Sequence, residues 1–314
     1  MLRAESKICC PTWSPVKKAN APIHGVLLLD KPVGMTSFDV VRKVGRTLGT
    51  RKCGHTGTLD PFASGLLCIC IGEATKMVQY LMADQKEYDA VVEFGTETDS
   101  CDTEGKVVAE ESVPADLEDR LRAVIPQFTG LIEQIPPVFS AIKVNGRRLY
   151  DYARKGEAVE IPSREVLVEE LKLVSVEGST ATLRIRCGKG TYIRALGRDL
   201  AKACGTVGHL TGLRRTSLGN WSVDDAVSPE EHAETLMKGL MDSEKALDGF
   251  PVLQADAEVR QRILWGQRIP THELPEGLPE SESLVARDQL NTLLAVVRLE
   301  EGALRIERGF PHPW

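Results

Sequence analysis

The residues able to do chemistry concentrate in one stretch, Cys53-Gly54-His55-Thr56-Gly57-Thr58-Leu59-Asp60-Pro61-Phe62-Ala63-Ser64-Gly65-Leu66-Leu67. Its glycines open backbone conformations closed to other residues, and Pro61 biases Asp60 towards an extended shape, so a carboxylate is carried at the tip of a stiff loop. An ionised aspartate can act as a nucleophile when a nearby cation such as arginine keeps it charged in a closed pocket. Equally, Asp60 could form an Asx turn and bond only neighbouring amides. Spacing alone leaves both readings open.

Other chemistries lack their patterns. There is no GxxxxGK[ST] phosphate loop, and Gly54-x-x-Gly57 lacks the strand, turn and helix of a dinucleotide site. Phe62-Ala63-Ser64-Gly65-Leu66 is not the GxSxG of a serine hydrolase. The eight cysteines include Cys9-Cys10 and Cys68-x-Cys70 but no Cys-x-x-Cys, which fits neither a zinc framework nor a disulfide scaffold. Cys53 and His55 have no second ligand pair at finger-like spacing. We therefore expect no metal site, and reduced thiols of a cytoplasmic protein. No apolar run approaches the roughly 20 residues of a membrane span.

The elements that must position Asp60 follow from apolar patterning. Residues 1–23 mix Pro, Lys, Ser and Cys without period and are expected to form a flexible tail. His24 to Asp30 reads as a strand. Thr36 or Ser37 caps a helix to Leu48 with Phe38, Val41, Val44 and Leu48 on one face. Gly65 to Ile71 reads as a buried strand, 73–82 as an amphipathic helix and 87–94 as an alternating strand. Further on, 114–125 reads as a helix and 138–144 as a strand before a tight turn at Asn145-Gly146. Two strands, 166–176 and 180–187, precede a helix capped by Thr191 and running to Cys204. Another helix is expected over 228–240. Pro251 opens a smaller unit with strand-like runs in 283–299 and 304–310.

The chain carries 39 Lys and Arg against 45 Asp and Glu, a formal charge of -6, so any nucleic-acid surface must come from segregation of charge. The run from Glu93 to Asp119 is acidic and reads as a solvated face. Positive charge gathers at Arg51-Lys52, at Lys143, Arg147, Arg148, Arg154 and Lys155, on the face shared by Arg194 and Arg198, and at Arg214-Arg215. Interleaved tyrosines, Tyr88, Tyr150, Tyr152 and Tyr192, offer faces on which unpaired bases stack. Basic plus aromatic suggests RNA.

Six segments in one order then resemble the bacterial TruB family of tRNA pseudouridine-55 synthases: GVLLLDKPVGMTS, GHTGTLDPFASGLL, KEYDAVVEFGTETDSCDTEG, PPVFSAIKVNGRRLYDYARKG, CGKGTYIRALGRDL and GHLTGLRRTSLG. The resemblance covers almost everything from His24 onward. It implies that Asp60 is the essential aspartate, acting on uridine at C1′ of the ribose or C6 of the base. Tyr88 is then the tyrosine that stacks on the target base and takes the C5 proton, and Arg194 the arginine paired with the aspartate. Tyr192 and Leu213 line the uracil pocket, and His55 meets the RNA loop where the flipped base has left. Lys31, Lys143, Arg147, Arg148 and Arg154 are expected substrate contacts.

The implied fold is α/β (α+β), the pseudouridine synthase fold: a central mixed, largely antiparallel sheet flanked by helices over 24–249, with a small β-rich PUA-like unit over 250–314. The implied partner is tRNA, bound through its T-loop and arm by a monomer away from any membrane, and the implied isomerisation needs no metal, redox cofactor or nucleotide. An RNA-folding chaperone acting on tRNA and a same-fold synthase directed to another RNA are the alternatives.

Overall fold

The computed structural model describes residues 23–82, 85–140, 142–144, 146–155, 157, 159–280 and 283–310. The tail expected over 1–23, with Cys9 and Cys10, therefore lies outside the described residues except for Ile23, as do the side chains of Arg148, Tyr150 and Arg154.

A ten-stranded sheet carries the site. Its main strands are β1 (Gly25–Lys31), β3 (Ser64–Ile71), β4 (Lys86–Phe94), β5 (Gly130–Gln134), β6 (Arg164–Glu177), β7 (Thr180–Cys187) and β8 (Gly208–Leu218), with β2 (Cys53–His55) laid against β3. From the edge strand Leu240–Met241 the order is β1, β3, β8, β4, β7, β6, β5. Along it, only β3 and β8 run parallel; the other pairs are antiparallel. The sheet is thus mixed and largely antiparallel.

The strands form where apolar residues alternate. On β4, Tyr88, Ala90, Val92 and Phe94 are buried while Asp89, Val91 and Glu93 are half-buried, the period of two expected of a sheet with one covered face. Helix α1 (Ser37–Thr47) and helix α3 (Ile193–Ala203) cover that face, with α2 (Leu117–Val124) beside them. Thr36 caps α1 by a capping box with Asp39, which satisfies two amides that the helix start would leave open. Its inward face is Val40, Val41, Val44 and Leu48, each contributing about 1.5 to 3 kcal/mol by burial. Phe38, expected inward, is 66% exposed and lies under the Arg42 guanidinium. On α3, Gly197 lets the helix approach the sheet, since a Cβ there would lie 2.9 Å from Leu210 Cδ2.

Several expected boundaries shift. The helix expected over 73–82 is a 3-10 turn, Gly72–Met77; Ala74, Met77 and Leu81 are buried at helical spacing, but a single turned segment suffices to place them. The helix expected over 228–240 shrinks to Ala233–Lys238, which buries only Leu236. The strand expected over 138–144 is limited to Lys143–Val144, paired with Arg147–Arg148. Helix α2 starts at Leu117 rather than 114, and α3 is preceded by Tyr192, not Thr191.

A five-stranded sheet follows, in the order Val252–Gln254, Ser283–Arg287, Leu293–Glu300, Ala303–Gly309, Ile269–Pro270. The helix Ala257–Leu264 packs on it through Val259 and Ile263. Residues of both sheets, among them Val26, Leu28, Cys68, Val285 and Val296, share one apolar cluster with Phe310, which follows the last strand.

Candidate active site

The loop between β2 and β3 is fastened along its length. Ser37 of α1 bonds both the carbonyl and the amide of Leu59 through one hydroxyl, at 3.0 and 2.8 Å. Gly34 N–H donates to Pro61 O at 2.8 Å, and Ala63 N–H to Asp60 O at 3.1 Å. Leu59, Phe62 and Ala63 are buried. Asp60 is therefore held on a rigid tip with its side chain 35% exposed. Where the loop enters β3, Gly65 takes φ +101°, and a Cβ there would lie 2.2 Å from Arg215 O; only glycine allows β3 and β8 to meet so closely.

Lys31 lies beneath this loop rather than on a substrate-facing surface. It is fully buried, and its ammonium donates to Pro32 O at 2.9 Å, Met35 O at 2.6 Å and Pro61 O at 3.4 Å. Burial lowers its pKa to about 8, against the upward pull of Asp60. Its expected role as a substrate contact gives way to that of a prop for the loop, because an ammonium with three carbonyl partners inside the protein has nothing left to offer a phosphate.

Arg194 reaches Asp60 from the first turn of α3. Its Nε lies 2.9 Å from Asp60 Oδ2 and a terminal nitrogen 3.1 Å from Asp102 Oδ2. Its remaining donors meet Ser100 O at 2.8 Å and Phe139 O at 2.9 Å. A helix N-terminus disfavours a cation, so these two carboxylates and two carbonyls are what make the position tenable. Asp102 is itself buried and accepts from Ser100 Oγ at 2.5 Å and from Glu104 N–H at 2.9 Å. The acidic run is thus not wholly a solvated face: it contributes the second counter-ion of the site. Burial pushes the Asp60 carboxyl above its usual range, Arg194 opposes this, and Asp102 adds to the upward push.

Asp60, Tyr88, Tyr192, Arg194 and Leu213 line one cavity of about 700 Å³, large enough for a nucleoside. Tyr88 and Leu213 sit on neighbouring strands β4 and β8. Tyr192 is fixed by Gln134, whose amide accepts from Tyr192 N–H at 2.8 Å and donates to Tyr192 O at 3.1 Å. The Thr56 and Ser140 hydroxyls also line the cavity, buried and without hydrogen-bond partners among the described residues. Arg215 lines it as well. Asp102, Ser140 and Arg215 lie inside matched segments and Gln134 just before one, but neither residue type nor spacing sets them apart from their neighbours.

His55 is half-buried on β2, outside the cavity lining. Burial and Arg215 hold its ring below the usual histidine range, so it is neutral at pH 7. Lys143 is exposed on the hairpin, and Arg147 pairs with Glu157 at 2.9 Å and stacks over Tyr152 at 4.3 Å; neither lines the cavity. The cationic patch expected from Arg194 and Arg198 is not a free surface. Arg198 bonds Asp199 and Ile135 O, Lys202 meets Glu97, Arg184 meets Asp89, and Arg186 meets Glu169. Among the described residues no group of three or more His, Cys, Asp or Glu could hold a metal ion. No helix among them is long and apolar enough to cross a membrane.

Residues 45–193 match the model of the TruB family pseudouridylate synthase, N-terminal domain. A tRNA pseudouridine synthase B of Cupriavidus metallidurans is 44% identical over 303 residues, covering 94% of this chain and 96% of the relative. That of Ralstonia pickettii is 42% identical over 312 residues, with the same coverage. Among solved structures, a Cbf5-Nop10-Gar1 complex aligns with a TM-score of 0.69 at 25% identity, over 92% of this chain and 85% of that one. An H/ACA RNP bound to a substrate RNA containing 2'-deoxyuridine gives a TM-score of 0.69 at 23% identity, over 91% and 84%. The fold is the pseudouridine synthase fold. The chain belongs to the TruB family of pseudouridylate synthases.

Proposed function

We propose that this protein converts the T-loop uridine of tRNA, uridine 55, to pseudouridine, with Asp60 as the nucleophile. The observation that carries this reading is the Asp60 carboxylate, fixed at a loop tip and paired with Arg194 at 2.9 Å, in a cavity that it shares with Tyr88. The tRNA substrate rests on the relatives named tRNA pseudouridine synthase B. The target base leaves its stack and enters the cavity, at a cost of a few kcal/mol that stacking and phosphate contacts offset. Asp60 attacks the uridine, the N-glycosidic bond breaks, and the uracil turns and is rejoined through C5. Arg194 holds the carboxylate in place and favours its ionised form against burial. Tyr88 faces the base, with Tyr192 and Leu213 beside it.

His55, Lys143, Arg147, Arg148 and Arg154 are the RNA contacts in this reading, and residues 250–314 form a PUA-like unit that extends the RNA surface beyond the catalytic residues 24–249. The protein works as a cytoplasmic monomer. Mapping pseudouridine in RNA from cells with and without this gene tests substrate and position together. Loss at uridine 55 of tRNA supports the reading; loss confined to another RNA, or no loss, would overturn it.

A further inference from the structure

Two arginines line the cavity, Arg194 and Arg215, and Arg214 is the strand neighbour of the second; their counter-ions differ. Arg194 has Asp60 and Asp102. Arg214 forms a two-point bridge to Asp30 at 2.9 and 2.8 Å on the other side of β8. Arg215 is 1% exposed and heads the fully buried side chains by size, yet it makes no ion pair among the described residues. Its Nε donates to Leu66 O at 2.7 Å and a terminal nitrogen to Gly57 O at 3.3 Å. Tyr88 lines the same cavity as Arg215, and Arg215 is the cation that opposes the upward push of burial on that phenol, with the Cys187 thiol and Asp60 as the further titratable groups around it. Arg215 and Tyr88 are direct cross-strand partners on β8 and β4. A buried cation without a carboxylate is costly. Among the described residues, the acidic side chain that faces it across the strand pair is Tyr88.

We propose that Arg215 is a positioning residue that holds the Tyr88 oxygen and balances its charge while its proton is away. The inference rests on the reading that Asp60 and Tyr88 carry out the family reaction. In that isomerisation N1 of the uracil gains a proton and C5 loses one. Tyr88 handles both. As the N-glycosidic bond breaks and its electron pair passes to the ring, the phenol gives its proton to N1. C5 then bonds to C1′, the bond from Asp60 to the nucleoside breaks with its electron pair returning to the carboxylate, the phenolate takes the C5 proton, and the C–H electron pair restores the ring. Tyr88 begins and ends as a phenol, and no co-reactant is consumed. Between the two transfers Arg215 and the phenolate form a neutral pair in a closed cavity, where an opposite charge is worth most.

The test uses the full chain and a tRNA transcript tritiated at C5 of uridine, read by single-turnover tritium release. Arg215→Met should slow release by about a hundredfold to ten-thousandfold, the range for one general acid–base group, with tRNA binding within a few-fold of wild type. Arg215→Lys, which keeps the charge, should recover part of the rate. Tyr88→Phe with Arg215→Met should be no slower than Tyr88→Phe alone, because the two side chains act as one unit. Arg215→Met at near wild-type rate, losses that multiply in the double variant, or loss of tRNA binding in step with rate would each overturn the inference. If thermal melting shows Arg215→Met unfolded, Arg215→Lys replaces it in the same cycle and the same non-additivity decides. Asp60→Asn in this assay separates the levels: turnover by that variant sinks the parent reading, whereas an inactive Asp60→Asn beside a fast Arg215→Met sinks only the role of Arg215.

Discussion

Asp102→Asn changes one charge in the Arg194 network and almost no shape. The new amide could still accept from Ser100 and from the Glu104 N–H through its oxygen, but the group now facing Arg194 in place of Oδ2, 3.1 Å away in the native site, would be an NH2, a donor against a donor. Both native side chains are nearly sealed, at 4% and 6% exposed, so solvent does not make good the loss. A hydrogen bond between charged groups contributes about 1.5 to 3 kcal/mol. If that bond fixes Arg194 for Asp60, the single-turnover rate should fall by about ten- to a hundred-and-fiftyfold. The pH profile should move in the opposite sense. Asp102 raises the Asp60 carboxyl, and the ionised carboxylate is the nucleophile, so removing Asp102 should shift the acid limb of the rate profile to lower pH. Tritium release measured across pH, beside a urea melt that records folding, gives both numbers. An unchanged rate, or an acid limb that stays in place or moves up, would refute this account of the network.

Three further outcomes follow from the same geometry. Asp60 binds its proton more tightly folded than unfolded, so its ionisation costs stability as pH rises through the folded value; Asp60→Asn should therefore melt higher than wild type at neutral pH, with the gap closing in acid, and a lower melting point at pH 7 would contradict it. Lys31 loses its proton at about pH 8, so the wild-type rate should fall above that pH as the loop loses its prop. Lys31→Met should be slow throughout and lack that limb, and a limb of the same position in the variant would assign it elsewhere. Gly65→Ala combines a backbone φ of +101° with a Cβ 2.2 Å from Arg215 O; conformational strain and overpacking together should cost about 2 to 5 kcal/mol in a urea melt, and a loss under about 1 kcal/mol would mean that β3 and β8 separate easily.

What the sequence made legible was what local pattern controls. The alternation on β4 and the capping box at Thr36 are written in a few adjacent residues, and so are β3 and the turn at Asp60-Pro61. What it hid depends on partners far along the chain. Strand β8 was not read at all: its GHLTGLRRTSL sequence mixes two glycines, a histidine and two arginines, a poor strand former on its own, and it becomes a strand because β3 and β4 pair with it on both sides. That omission also hid Arg215, which looked like half of a basic dipeptide until Arg214 and Arg215 fell on opposite faces of one strand. Arg194 and Arg198 share a helix face by spacing, yet Arg194 is neutralised from far along the chain by Asp60 and Asp102, while Arg198 pairs with its neighbour Asp199. The acidic run hid Asp102 for the converse reason, since one buried carboxylate among many solvated ones has no distinguishing neighbour in sequence.

The measurement that bears most directly on the whole account is single-turnover tritium release by Asp60→Asn on tRNA labelled at C5 of uridine, beside its tRNA affinity. The loop, Arg194 and the cavity all converge on that carboxylate, so release should vanish while binding stays within a few-fold of wild type. Release by Asp60→Asn at a rate approaching that of wild type would contradict the claim that Asp60 is the nucleophile.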